Sequence, residues 1–268
     1  METPNLSSSY PPGESSTLES LFSVPFIRYK VPNHEDLNAR LEACIQEKMA
    51  SSSTSPATNR GDSWRSDKSL LNWDNEAVKE LKGHIDNAVG DMIRSTVSDP
   101  TPEHFANWFF HSWALVHRSG GHNVAHIHSS GSFIWSGIYY AKTGFPEGVR
   151  ATKGITVLQN RGAVPKEIIN NPDPFEKDYR IVPEPGLLVV FPSTVWHLVE
   201  PFEGDEERIT IPFNCSHPGF VTPLFKNMSD YLEITKDNWM WKNARGLKMF
   251  LDINYLKSRL REKFGKKQ

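Results

Sequence analysis

The chain is poor in cysteine, with only Cys44 and Cys215 among 268 residues. Two thiols cannot supply the disulfide framework of a small secreted scaffold, so a reducing, cytoplasmic compartment is expected, with both cysteines in buried segments. Long apolar runs are missing too. No stretch approaches the ~20 residues needed to span a bilayer, and the opening Met-Glu-Thr-Pro-Asn-Leu-Ser lacks a basic patch ahead of an apolar segment. Nor is there an excess of either charge: 30 basic and 32 acidic residues leave a formal net charge of -2. Such a balance gives no global attraction to nucleic acid or to an anionic membrane, so neither is an expected partner. No internal repeat is visible, and a small molecule is the expected partner. The oligomeric state is left open between a monomer and a homodimer.

What the chain does contain divides it into a leader and one domain. Residues 1–20 are rich in Ser, Pro and Gly, with too few apolar groups to offset the entropy of ordering, and read as a flexible leader. Residues 21–268 read as a single domain in three parts: an N-terminal strand and helices over 21–100, a β-rich core over 101–217, and a helical extension over 218–268. The first part should open with a proline-interrupted edge strand, Leu21–Ile27. An amphipathic helix over His34–Met49 follows, capped by Asn33, with Leu37, Leu41, Cys44, Ile45 and Met49 at helical spacing. Ser51–Arg60 reads as a polar loop. A second helix should start near Asp74, with Val78, Leu81, Ile85, Val89, Met92 and Ile93 on one face.

From about Phe105 the pattern changes to short aromatic and β-branched runs at 107–117, 133–141, 154–159, 179–182, 187–191, 196–200 and 208–214, separated by Gly, Pro and Asn. Such spacing, with no helix-length segment between the runs, predicts a mainly β antiparallel jelly roll or barrel with flanking helices. In the C-terminal segment Lys242–Gln268, nine basic residues face two acidic ones. Met249, Ile253, Leu256, Leu260 and Phe264 fall at helical spacing there, so the charge reads as the solvated face of a docked helix.

Six of the ten histidines lie between His104 and His128. In an extended segment, residues two apart project to one face, so His126 and His128 can offer two imidazoles to one metal ion. His197 is the natural third candidate, at a corner after the buried-looking run Gly186–Phe191. Eleven residues later, Arg208, Thr210, Pro212 and Asn214 share one face of a strand, while Ile209, Ile211, Phe213 and Cys215 share the other. The apolar face can pack under helices and the polar face can line a cavity, where a guanidinium beside a hydroxyl suits a carboxylate. Taken singly, each histidine reads as readily as a core or surface residue; their ordered combination reads as a site.

The motifs His126-x-His128, Ser136-Gly137-Ile138-Tyr139-Tyr140, Phe191–His197 and Arg208-x-Thr210 resemble those of the iron(II) and 2-oxoglutarate dependent oxygenases, in the group with a His-x-His followed by Ser-Gly-x-Tyr-Tyr. The resemblance covers about 105–217 and weakens back to Leu21. It implies a double-stranded β-helix, cupin-like in architecture, and a dioxygenase using Fe(II), 2-oxoglutarate and O2. By position it implies His126 and His197 as iron ligands and Arg208 as the partner of the distal 2-oxoglutarate carboxylate, with Tyr140 and Thr210 beside it. Most of that superfamily has an acid at 128. Three arrangements therefore stand: His128 ligates, which its same-face geometry favours; it acts from outside the ligand set; or a distant acid such as Glu200 substitutes. His122, Asn160, Arg161 and Asn214 are candidate substrate contacts. The expected reaction is hydroxylation, with desaturation or cyclisation as variants, of an amino acid or related metabolite. Two rivals are a three-histidine cupin-like dioxygenase that does not use 2-oxoglutarate and a non-catalytic β-barrel binding module.

Overall fold

The computed structural model describes residues 23–51, 59–128, 133–146, 148–160 and 178–217. The leader over 1–20 and the extension over 218–268, with its basic segment, lie outside them. The first strand among the described residues, β1, is Ile27–Lys30, which meets the expected Leu21–Ile27 only at Ile27 and forms where it can pair with Leu187–Val190; Leu21 and Phe22 lie outside the described residues. Pro25, which has no N–H to give a ladder, falls ahead of the paired residues. Helix α1 spans His34–Ala50 and buries Leu37, Leu41 and Ile45. Its cap differs from expectation: Asn33 takes a left-handed backbone (φ 49°) and its side chain caps nothing. Cys44 is half-buried, and only Cys215 is a core thiol. Helix α2, Glu76–Thr96, is capped instead as Asn75 predicts for its residue type, with Oδ1 accepting from the Ala77 amide at 2.9 Å.

The expected polar loop ends in a short strand, β2 (Asn59–Arg60), and a second, β3 (Ser63–Arg65), follows it. After them come β4 (Phe109–Ser112), β5 (Leu115–His117), β6 (His122–His126), β7 (Trp135–Lys142), β8 (Thr156–Gln159), β9 (Asp178–Ile181), β10 (Leu187–Pro192), β11 (Trp196–Val199) and β12 (Arg208–Ser216). The strand pairs are antiparallel. They form one sheet in the order β1-β10-β7-β12-β5-β3, with β4 also on β12, and a second in the order β2-β6-β11-β8-β9. From β5 onward the chain crosses between the two sheets, giving the alternation β5-β12-β7-β10 against β6-β11-β8-β9 that defines a double-stranded β-helix.

Alternation along each strand decides what its two faces meet. On β7 and β12, Tyr139, Ala141, Ile209, Ile211, Phe213 and Cys215 pack with the buried stripes of α1 and α2 in one apolar core. The opposite residues, Ile138 and Tyr140, join Val189 and Phe191 of β10 and Leu158 and Ile181 of the second sheet in another. Burying a side chain of this size contributes about 1.5–3 kcal/mol, so the helices fix the larger sheet from outside and leave its inner face for the cavity. Gly137 is part of that packing, because a Cβ there would collide with the Phe213 ring. Among the described residues, no helix is long and apolar enough to cross a membrane.

Candidate active site

Two neighbouring strands of the smaller sheet bring the histidines together. His197 of β11 lies opposite His126 of β6 in the ladder, with ring centroids 4.3 Å apart. His128 follows the end of β6, and its backbone amide donates to the Ser193 carbonyl at 3.0 Å. Its ring lies 5.0 Å from that of His126 and 5.1 Å from that of His197. One nitrogen from each of the three falls within 4.8 Å of the others, a separation at which all can hold a single metal ion. Among the described residues no carboxylate joins this group. Glu200 is engaged elsewhere, accepting from Arg180 Nη2 at 2.6 Å.

The protonation of the cluster follows from its hydrogen bonds. His126 Nδ1 is 2.7 Å from the Val124 carbonyl and His197 Nδ1 is 2.8 Å from the Val195 carbonyl. A carbonyl can only accept, so both rings carry the proton on Nδ1 and leave Nε2 with its lone pair. Burial, reinforced by the neighbouring rings, pushes His128 down to about 2 and His197 to about 3. Burial also lowers His126, against the bond to Val124. All three imidazoles are therefore neutral near pH 7, the form in which they ligate metals.

Arg208, the first residue of β12, lies in the same cavity and is only 1% exposed. Its Nη1 is 3.3 Å from His117 Nδ1 and 3.5 Å from Thr210 Oγ1. Among the described residues Nε and Nη2 have no partner, and no carboxylate pairs with the guanidinium. A buried cation left in that state is costly, which is the signature of a place reserved for an anion. Gly154, at φ +65°, makes room for the side chain: a Cβ there would stand 3.1 Å from Arg208 Cδ and 3.2 Å from Nε. The Tyr140 ring lies 5.5 Å from the guanidinium carbon, and its hydroxyl donates to Thr156 Oγ1 at 2.8 Å.

Of the residues singled out in the sequence, His126, His128, His197, Arg208, Thr210 and Asn214 line one cavity. Tyr140 touches Arg208 from outside the lining. His122 is not brought in: its Nδ1 contacts the Gly120 carbonyl at 3.0 Å, and its strand position pairs with Arg60. The reason is a register shift, because β11 sets His197 against His126 but Val199 against Asn123. One residue of β11, Leu198, thus lies opposite two of β6, Val124 and Ala125, and the parity linking 122 to 126 breaks. Asn123 lines the cavity instead. Asn160 is exposed at the end of β8 and does not line the cavity, while Arg161 lies outside the described residues. Sequence reasoning also missed Ser136, whose hydroxyl donates to Asn214 Oδ1 at 2.6 Å, and His117. Around these polar groups the lining is apolar and aromatic, including Trp113, Ile138 and Phe191.

Residues 111–214 match the family described as "Putative 2OG-Fe(II) oxygenase". No curated protein matches the chain. Among solved structures it is similar to a prolyl-4-hydroxylase from Pseudomonas putida, at 16% identity over 72% of this chain and 92% of that one, with a TM-score of 0.49. It is also similar to a non-heme alpha ketoglutarate dependent epimerase from nogalamycin biosynthesis, at 10% identity over 72% and 76% of the two chains and a TM-score of 0.49. A third is an oxidoreductase of the 2OG-Fe(II) oxygenase family from Burkholderia pseudomallei, at 14% identity over 69% and 91%, with a TM-score of 0.41. The matched segment spans the histidine cluster and Arg208. Over this segment the chain is similar to the 2OG-Fe(II) oxygenases, a family of enzymes that use Fe(II), 2-oxoglutarate and O2.

Proposed function

We propose that the enzyme oxidises a C–H bond of a small molecule, by hydroxylation or by the related desaturation or cyclisation, and that His126, His128 and His197 hold the iron while Arg208 holds 2-oxoglutarate. The observation that carries this reading is one cavity with three neutral imidazole lone pairs and a buried, unpartnered guanidinium edge. The donor set fits a divalent iron, and the unpartnered Nε and Nη2 fit a carboxylate gripped through two parallel charge-assisted hydrogen bonds. When bound, iron(II) and 2-oxoglutarate activate dioxygen, which converts the cosubstrate to succinate and carbon dioxide while one oxygen atom is left for the substrate.

The chain's own residues bind and orient. The Nδ1–H groups of His126 and His197 donate to the Val124 and Val195 carbonyls and so fix which ring nitrogen faces the cluster. Thr210 and Tyr140 border Arg208, and the rest of the cavity lining is largely apolar. With an imidazole at 128 in place of an acid, the ligand set is one unit less negative and favours anionic ligands more strongly. Asn123, Ser136 and Asn214 are further polar residues of the cavity lining, Ser136 and Asn214 being hydrogen-bonded to each other. An amino acid or related metabolite acted on in the cytoplasm fits a cavity of this kind and the free thiols at Cys44 and Cys215.

Anaerobic titration with iron(II) and then 2-oxoglutarate tests the assignment. A weak charge-transfer band in the green should appear on adding the keto acid. Arg208→Ala should need about a hundredfold more 2-oxoglutarate to reach it, as expected for losing a buried charge pair. The histidine-only ligand set favours one alternative, a three-histidine dioxygenase that binds its organic substrate directly. No band at saturation, together with full turnover in Arg208→Ala, would establish that alternative.

A further inference from the structure

A guanidinium has five N–H bonds in a rigid fork, so the edge it offers a carboxylate depends on what holds the remaining nitrogen. In Arg208 that holding is done by uncharged groups. His117, a fully buried residue of β5, lies directly opposite Arg208 in the β5–β12 ladder. Its Nδ1 approaches Nη1 at 3.3 Å, and Thr210 Oγ1 approaches the same nitrogen at 3.5 Å. Since a guanidinium only donates, His117 Nδ1 carries the lone pair and its proton sits on Nε2. Burial and the adjacent Arg208 push His117 down to about 3, so this neutral acceptor persists across the physiological range. A carboxylate at 117 would grip Arg208 harder but would cancel its charge; an imidazole anchors the group and leaves the charge intact.

We propose that His117 is a positioning residue: as an uncharged acceptor it anchors Nη1 of Arg208, so that the Nε and Nη2 edge meets the distal carboxylate of 2-oxoglutarate with its full charge. This rests on the assignment of Arg208 to that carboxylate. His117 itself does not line the cavity, so its influence on the cosubstrate passes through Arg208.

Binding of labelled 2-oxoglutarate and labelled pyruvate to the manganese(II)-loaded protein, by equilibrium dialysis, tests the inference. Pyruvate shares the keto acid end and lacks the distal carboxylate. His117→Phe keeps a ring and removes the acceptor, and should weaken 2-oxoglutarate about tenfold while leaving pyruvate within about twofold of wild type. His117→Asn returns an acceptor at the Nδ1 position and should recover most of the loss. In iron-loaded protein, uncoupled succinate formation should show a raised KM for 2-oxoglutarate with kcat retained. If His117→Phe fails to fold by circular dichroism, His117→Gln replaces it with the same expected result, because its amide oxygen sits away from Nη1. Unchanged 2-oxoglutarate binding, equal loss of both ligands, or no recovery in His117→Asn overturns the positioning role. Arg208→Ala separates the two readings. If it also binds 2-oxoglutarate normally, the clamp assignment falls; if it alone weakens binding, only the role of His117 falls.

Discussion

At the β6–β11 end of the cavity burial strips protons from His128 and His197, whereas at the β5–β12 end the same burial acts on Arg208, whose proton stays on at any ordinary pH. Desolvation disfavours charge in both places. Imidazoles answer by becoming neutral lone-pair donors, the state that receives a cation, while the guanidinium answers by keeping an unmet demand for an anion. One cavity thus acquires two opposite preferences from residues of formally like sign, and the difference lies in whether the side chain can release its proton.

The sharpest way to break this contrast is to remove one end at a time. His197→Ala should lower iron(II) affinity by at least about a hundredfold, read as metal content after dialysis, whereas Arg208→Ala should retain its metal. Equal metal loss in both variants would mean that the two ends are not separate sites.

A second way is acid. Burial pushes His117, His128 and His197 well below their ordinary 6.5, to about 3, 2 and 3. Below 6.5 the unfolded chain binds protons that the folded chain refuses, so stability of the metal-free protein is full above that pH and is lost as pH falls. Each histidine contributes about 1.4 kcal/mol per pH unit to the slope, and Arg208 contributes none because it is charged throughout. Urea midpoints measured between pH 7 and 5 should fall steeply, and less steeply in His117→Phe. A flat profile would contradict the neutral histidines.

The smallest effect sharpens the arginine end alone. Gly154→Ala puts a Cβ against Arg208 at a residue with positive φ and should cost about 1 kcal/mol of stability, with a severalfold loss of 2-oxoglutarate affinity and no change in metal content. Thermal melts and the dialysis assay read both quantities. A variant that loses metal in step with 2-oxoglutarate would refute the separation.

Much of this arrangement is legible before any coordinates. Alternation along 208–215 already divides β12 into a helix-facing and a cavity-facing row, and the i, i+2 spacing of His126 and His128 already pairs their rings. Short strands are harder: β2 and β3 are two and three residues long, below the length at which a period can be read. The exchange of His122 for Asn123 depends on a register shift between strands more than seventy residues apart, which no local pattern records. His117 escaped for a similar reason. It sits in a run that reads as core, and its partner is 91 residues away in sequence. The Asn33 cap failed because the chain used that asparagine for its tolerance of a left-handed backbone instead of for its side chain.

Along one edge β12 borders β7, but the other edge is divided between β5 at Arg208–Thr210 and β4 at Phe213–Ser216. Pro212 sits in the break, its carbonyl accepting from the Trp113 amide at 3.2 Å, so the N–H it lacks falls where neither β4 nor β5 claims it. Trp113 is turned into the cavity there, its ring 6.4 Å from that of His128. The wall beside the histidine cluster is therefore set by a residue that belongs to neither flanking strand, so a change of side chain at position 113 would alter its contour without removing a rung of the β4–β12 or β5–β12 ladder.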